Sequence, residues 1–215
     1  MRRRTLLRTG GAGIVAATSG CLGGSGTHLA RQEYATDPQN LPYPTWGEQV
    51  PEVTLSDPIT GDEVDTRSVG RTAVYTFFFS HCMSVCPILI GTLRNAQTAV
   101  GGTAHEDLVR FLPITFDPQR DDAMRLQQYA AEMNIDLTMG NWSFLRPSGV
   151  GQAKAVVTDQ FGVIFERTEE TDEGYMFAHT ALTLVVNADA TVERAYRTGS
   201  PDESQIIADI ETLIG

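Results

Sequence analysis

Hydrophobic and polar positions alternate in short blocks from about residue 46 onward. Val53-Thr54-Leu55 predicts a short strand, and the turn-rich Asp57-Pro58-Ile59-Thr60-Gly61-Asp62 predicts a return through Val64 to Thr66 as a hairpin arm. Arg71 to Phe79 is a near-continuous apolar run, the pattern of a strand buried on both faces. Pro87 suits the first turn of a helix reaching about Val100, where Gly101-Gly102 stops it. Leu108 to Phe116 reads as a strand. Asp117-Pro118-Gln119-Arg120-Asp121-Asp122 then opens a helix to about Met133, with Asp117 as its cap and Pro118 in its first turn. Ser148 to Asp159 predicts a helix weakened by Val156 and Val157. Phe161 to Glu166 and Ala181 to Asn187 predict strands, the second pairing with Thr191 to Tyr196 across Ala188-Asp189-Ala190. Pro201 to Leu213 forms an amphipathic closing helix. Strands alternating with helices predict an α/β domain, a central mixed sheet flanked by helices, with an N-terminal strand or hairpin extension.

The N-terminus changes the picture. Arg2, Arg3, Arg4 and Arg8 precede the apolar Gly13-Ile14-Val15-Ala16-Ala17, too short to span a bilayer. The consecutive arginines resemble a twin-arginine export signal over residues 1–20. Thr18-Ser19-Gly20-Cys21 resembles a lipoprotein processing site, with Cys21 as the lipid anchor at the outer face of the cell membrane. Residues 21–45, rich in Gly, Ser, Pro and polar side chains, read as a flexible tether to a domain over 46–215.

Charge narrows the partners. The chain holds 27 acids against 16 bases, net −11. Four of those bases lie in the expected leader, which has no acid, so the remainder carries twelve bases against 27 acids, net −15. Such a surface repels nucleic acid and anionic lipid. With Lys154 as its one lysine, the chain is expected to be halophilic, screened by high salt. Its stability should then fall as salt is removed. No phosphate-binding glycine loop, GxSxG serine or metalloprotease helix occurs.

With Cys21 assigned to lipid, Cys82 and Cys86 remain as a pair in Ser80-His81-Cys82-Met83-Ser84-Val85-Cys86-Pro87, straight after the buried strand. At i and i+4 on one helix their Cβ atoms would sit roughly 5–6 Å apart. Two soft sulfurs at that spacing suit a copper(I) site, a redox disulfide or a structural disulfide, and spacing alone leaves all three open. His179, in a loop before the strand from Ala181, is the natural third ligand. Ala178-His179-Thr180-Ala181 lacks the proline that thioredoxin-like oxidoreductases place before the equivalent strand. His81, Met83 and Met176 lie close in sequence. The expected roles are solvent exposure for His81 and gap filling for both methionines. His28 and His105 are expected in solvent, and Glu166 to Glu173 as a solvated loop.

These motifs together resemble the Sco (SenC) family of thioredoxin-fold copper chaperones, over about residues 46 to 215. Its T-x-C-x-x-V-C-P stands as Ser80 to Pro87, its D-P-x-R-D as Asp117 to Asp121, and its Y-x-x-x-H-[ST] as Tyr175 to Thr180. The chain departs from the pattern at Ser80 (for Thr), Met83 (for Pro) and Ala178 (for Asp). The resemblance implies copper bound by Cys82, Cys86 and His179. It implies delivery of that copper to the CuA site of the copper-bearing subunit of cytochrome c oxidase, and a thiol-disulfide role. The alternatives are a metal-free thiol-disulfide oxidoreductase using the same cysteines and a thiol peroxidase with Cys82 as the peroxidatic residue.

Overall fold

The computed structural model describes residues 27–171 and 174–215. The leader, Cys21, the first tether residues and positions 172–173 of the acidic run lie outside the described residues. Strands β1 (Thr54–Ser56) and β2 (Glu63–Asp65) pair antiparallel across a turn in which the Asp57 carboxylate accepts the Ile59 amide. Strand β3 (Thr72–Phe78) follows, and every residue in it is buried. Helix α1 (Val85–Val100), strand β4 (Val109–Thr115), helix α2 (Ala123–Glu132) and the short helix α3 (Val150–Ala153) come next. Helix α3 continues as a π-helical stretch, Lys154–Gln160. Its wider turn buries the adjacent Val156 and Val157 together. The hairpin β5 (Phe165–Thr171) and β6 (Gly174–His179), strands β7 (Thr183–Val186) and β8 (Val192–Tyr196), and helix α4 (Glu203–Ile214) complete the chain.

The central sheet has the order β4-β3-β7-β8. Strands β3 and β4 run parallel, and β7 and β8 add antiparallel. This is the mixed sheet expected of a thioredoxin-like fold. Strand β3 is central because its apolar side chains need cover on both faces. Phe77 meets Phe161 on one face and Phe78 stacks on Tyr129 of α2 on the other. Helix α1 packs on β3 and β4, and α4 on β3, β7 and α1.

Three local expectations change. The α2 cap is Asp122, which accepts the Arg125 amide, so Asp117 is released for other work. The predicted strand at 161–166 starts later and forms the β5–β6 hairpin, which pairs with no other strand among the described residues. The tether expected to reach residue 45 is laid down from His28 onward. The Glu193 carboxylate, 1% exposed, accepts the Leu29 amide at 2.9 Å and contacts His28 Nδ1 at 2.6 Å. Gln32 makes two bonds to the backbone of Ala195. Gly162, at φ +69°, lets this segment pass, since a Cβ there would stand 2.0 Å from the Pro42 carbonyl oxygen. His28 is exposed, as expected, and at the same time contacts the buried Glu193 carboxylate.

Candidate metal centre

Strand β3 ends at Phe78, and Phe79 to Ser84 form the loop that leads into α1. This loop is pinned from below. Asp121, fully buried, accepts the Ser80 amide, the Ser80 hydroxyl and the Thr115 hydroxyl. Arg125 donates to the Ser80 carbonyl at 2.7 Å and its hydroxyl at 2.9 Å. Ser80, standing where the family pattern has threonine, therefore uses the one group the two residues share.

Helix α1 begins at Val85, so Cys82 lies before it and only Cys86 is helical. The shared helical face read from the i,i+4 spacing does not form. The helix start instead brings the sulfurs together. Its N-cap residue, Ser84, makes no side-chain capping bond, and the Cys86 amide donates to Cys82 Sγ at 3.5 Å. The Cys82 sulfur acts as the acceptor at this helix end, where the peptide dipoles favour negative charge.

His179 closes β6 instead of lying in a loop, and its ring reaches the same place from 93 residues further along the chain. Nδ1 lies 3.2 Å from the Thr180 carbonyl, which can only accept, so the proton sits on Nδ1. The Nε2 lone pair then faces Cys86 Sγ at 3.4 Å. The imidazole is held against Phe79 and Phe116, with ring centroids 6.1 and 5.0 Å away. Donor atoms of Cys82, Cys86 and His179 all lie within 4.8 Å of one another. Donors sharing one ion at bonds of about 2.0–2.3 Å lie up to roughly 4.6 Å apart, so a shift of tenths of an ångström suffices.

The two thiols are free and divide their proton unequally. Hydrogen bonding from the Cys86 side chain, and further from Ser84 and the Cys86 amide, lowers the Cys82 pKa far below the ordinary thiol range against the effect of burial. Burial, then the Cys82 charge beside it, raises that of Cys86. The state favoured near neutrality is a Cys82 thiolate and a Cys86 thiol. Between the folded and unfolded pKa of Cys82 the unfolded chain binds more protons, so stability of the reduced protein rises with pH up to the ordinary thiol pKa of about 8.5. Above that, Cys86 reverses the slope, because the unfolded chain gives up a proton that the folded one keeps. Urea midpoints of the reduced protein compared with those of Cys82→Ser should show this rise. A difference independent of pH between 5 and 8 would exclude the assignment.

The other sequence candidates fall outside the trio. His81 lies 3.8 Å from Asp121 and 3.2 Å from the Ser80 hydroxyl. It forms a second group with Asp117 and Asp121, whose carboxylates already hold Arg120, Tyr175, Ser80 and Thr115. Met83 is 78% exposed and fills no gap. Met176 packs against the core from β6. Ala178 faces out on β6, opposite Glu166 of β5. With Ile164, His179 and Thr180 these two line an open cleft of about 320 Å³ beside the imidazole. Sequence reasoning gave no role to Arg120, Arg125 or Tyr175, although all but Arg125 lie in the quoted motifs.

Residues 57–215 match the SCO1/SenC family model. The chain is 23% identical over 128 residues to the curated Protein SCO1 homolog 1, mitochondrial, of Arabidopsis thaliana. That match spans 60% of this chain and 36% of the relative's length. The fold is similar to that of ScoI of Bradyrhizobium japonicum, a structure with copper bound. Its TM-score is 0.64 at 22% identity, covering 77% of this chain and 99% of that one. It is also similar to BsSco, described as a member of the Sco family of cytochrome c oxidase assembly proteins and as carrying a disulfide switch. There the TM-score is 0.60 at 22% identity, covering 77% and 92%. With the family model spanning well over half its length, this chain belongs to the SCO1/SenC family.

Proposed function

We propose that this protein is an extracytoplasmic copper chaperone that binds one copper ion through Cys82, Cys86 and His179 and hands it to the CuA site of cytochrome c oxidase. The observation that carries this reading is the convergence of two sulfurs and an imidazole from segments far apart in sequence, with the imidazole tautomer already set for ligation. A thiolate, a thiol and a neutral imidazole form a soft donor set that suits copper(I). Copper would displace the Cys86 proton on binding. The relatives solved with copper and described as oxidase assembly proteins support the cargo and the partner.

Residues 1–20 would direct export and Cys21 would carry the lipid. No helix among the described residues is long and apolar enough to cross a membrane. With the domain beginning to pack at His28, Cys21 lies seven residues away, a reach of at most roughly 25 Å. The domain would then stay close to the membrane surface. The net −15 of the exported chain would be screened by a saline environment.

Anaerobic copper(I) titration of the reduced protein tests the proposal. One equivalent should be retained against a competing chelator. His179→Ala should weaken retention by roughly two orders of magnitude, while exchange of the Cys82/Cys86 disulfide with a small thiol survives. Retention unchanged in His179→Ala, with disulfide exchange intact, would instead favour a thiol-disulfide oxidoreductase, for which the lowered Cys82 pKa is also suited.

A further inference from the structure

The imidazole is carried by a hairpin that has no strand neighbours among the described residues, where β5 and β6 pair only with each other. A lone two-stranded hairpin is marginal by itself, so contacts with the rest of the domain must place it. At its base, Phe165 stacks on Phe116 at 4.9 Å, and Phe177 meets Phe79 and Phe116 edge-on at 5.2 and 5.5 Å. Further along β6, the Tyr175 ring is held between two guanidiniums. Arg120 Cζ lies 3.7 Å and Arg167 Cζ 3.6 Å from the ring centroid. The Tyr175 hydroxyl donates to Asp117 Oδ1 at 2.7 Å, and the other Asp117 oxygen takes Arg120 Nε. Arg167 belongs to the hairpin, whereas Asp117 and Arg120 belong to the loop after β4.

This clamp joins two of the three motifs directly. Tyr175, Phe177 and His179 alternate along one strand and share a face, so fixing the ring of the first constrains the approach of the last. Asp117, freed by the Asp122 cap, is the fixed point of the clamp.

We infer that Tyr175 is a positioning residue: held between Arg120 and Arg167 and bonded to Asp117, it sets how closely His179 approaches the two thiols. This rests on the reading of His179 as a copper ligand. Breaking the clamp leaves the sulfurs in place and loosens the imidazole.

The test is copper(I) competition on the full chain with Tyr175→Ala, His179→Ala and the double variant. Thermal unfolding and the iodoacetamide rate of Cys82 are measured alongside. Tyr175→Ala should weaken copper(I) retention roughly ten- to a hundred-fold, the range for groups that orient a metal ligand. In the His179→Ala background the same change should cost less than about two-fold, since its effect passes through the imidazole. The Cys82 rate should stay at its original value. Tyr175→Phe keeps the ring and loses the Asp117 bond, and should lose a smaller factor by the same dependence on His179. It carries the test if Tyr175→Ala does not fold. Equal losses in both backgrounds would overturn the inference, as would no loss from Tyr175→Ala when His179→Ala alone is costly. If His179→Ala itself leaves retention intact, the ligand reading falls and this inference with it.

Discussion

Replacing Cys86 with alanine should abolish one-to-one copper(I) retention. Cys86 is wholly buried and central, with its amide donating to Cys82 Sγ and its sulfur 3.4 Å from His179 Nε2. A four-ligand structural metal site is worth roughly 10–16 kcal/mol, or about 3 kcal/mol per ligand. Losing one ligand therefore costs on the order of two decades in affinity. Cys86 costs more than this, because it also supplies the hydrogen bond that does most to keep Cys82 a thiolate. The thiolate fraction at neutral pH should fall with it, so alkylation of Cys82 near pH 6 should slow markedly in the variant. Chelator competition and the iodoacetamide rate read the two effects separately. Copper(I) retention within about threefold of the original would show that the buried sulfur is not a ligand.

Asp121→Ala should show the opposite division, a large loss of stability with a secondary effect on the site. Asp121 is fully buried and accepts the Ser80 amide, the Ser80 hydroxyl and the Thr115 hydroxyl. Alanine leaves those donors buried without an acceptor, and it leaves Arg125 at Ser80 without the nearby negative charge. Breaking a buried charged network in this way costs about 3–5 kcal/mol. At roughly 2–4 °C per kcal/mol for a domain near this size, the melting temperature should drop by about 10 °C. Asp121→Asn keeps an acceptor oxygen and should recover part of the loss. A drop under about 2 °C for the alanine variant would mean that the loop is held by other contacts. Because this network fixes the residues just before Cys82, the variant should also bind copper(I) more weakly than its remaining fold accounts for.

Much of this was legible along the chain. The continuous apolar run ending at Phe79 can only be a strand covered on both faces, and it is the central β3. The Gly101-Gly102 stop, the Ala188-Asp189-Ala190 turn and the closing helix follow from local chemistry, and each forms where the pattern puts it. The three motifs pointed to one family and one set of donors. Boundaries were less legible where two residues compete for one role. Asp117 and Asp122 both suit a helix cap, and only the packing of Tyr175 against Asp117 shows why the later one is used. The i,i+4 spacing of Cys82 and Cys86 suggested a common helical face, but the helix starts between them.

The one-dimensional pattern determined which chemistry is available: two soft sulfurs after a buried strand, a late histidine, and an acidic surface. It could not show that the histidine rides on a separate hairpin, or that an arginine–tyrosine clamp steadies that hairpin. Nor could it show that residues from His28 on lie against β8. Those features depend on contacts between segments tens to more than a hundred residues apart, and no local propensity encodes such distances. Only the closed fold places these groups within bonding range of one another.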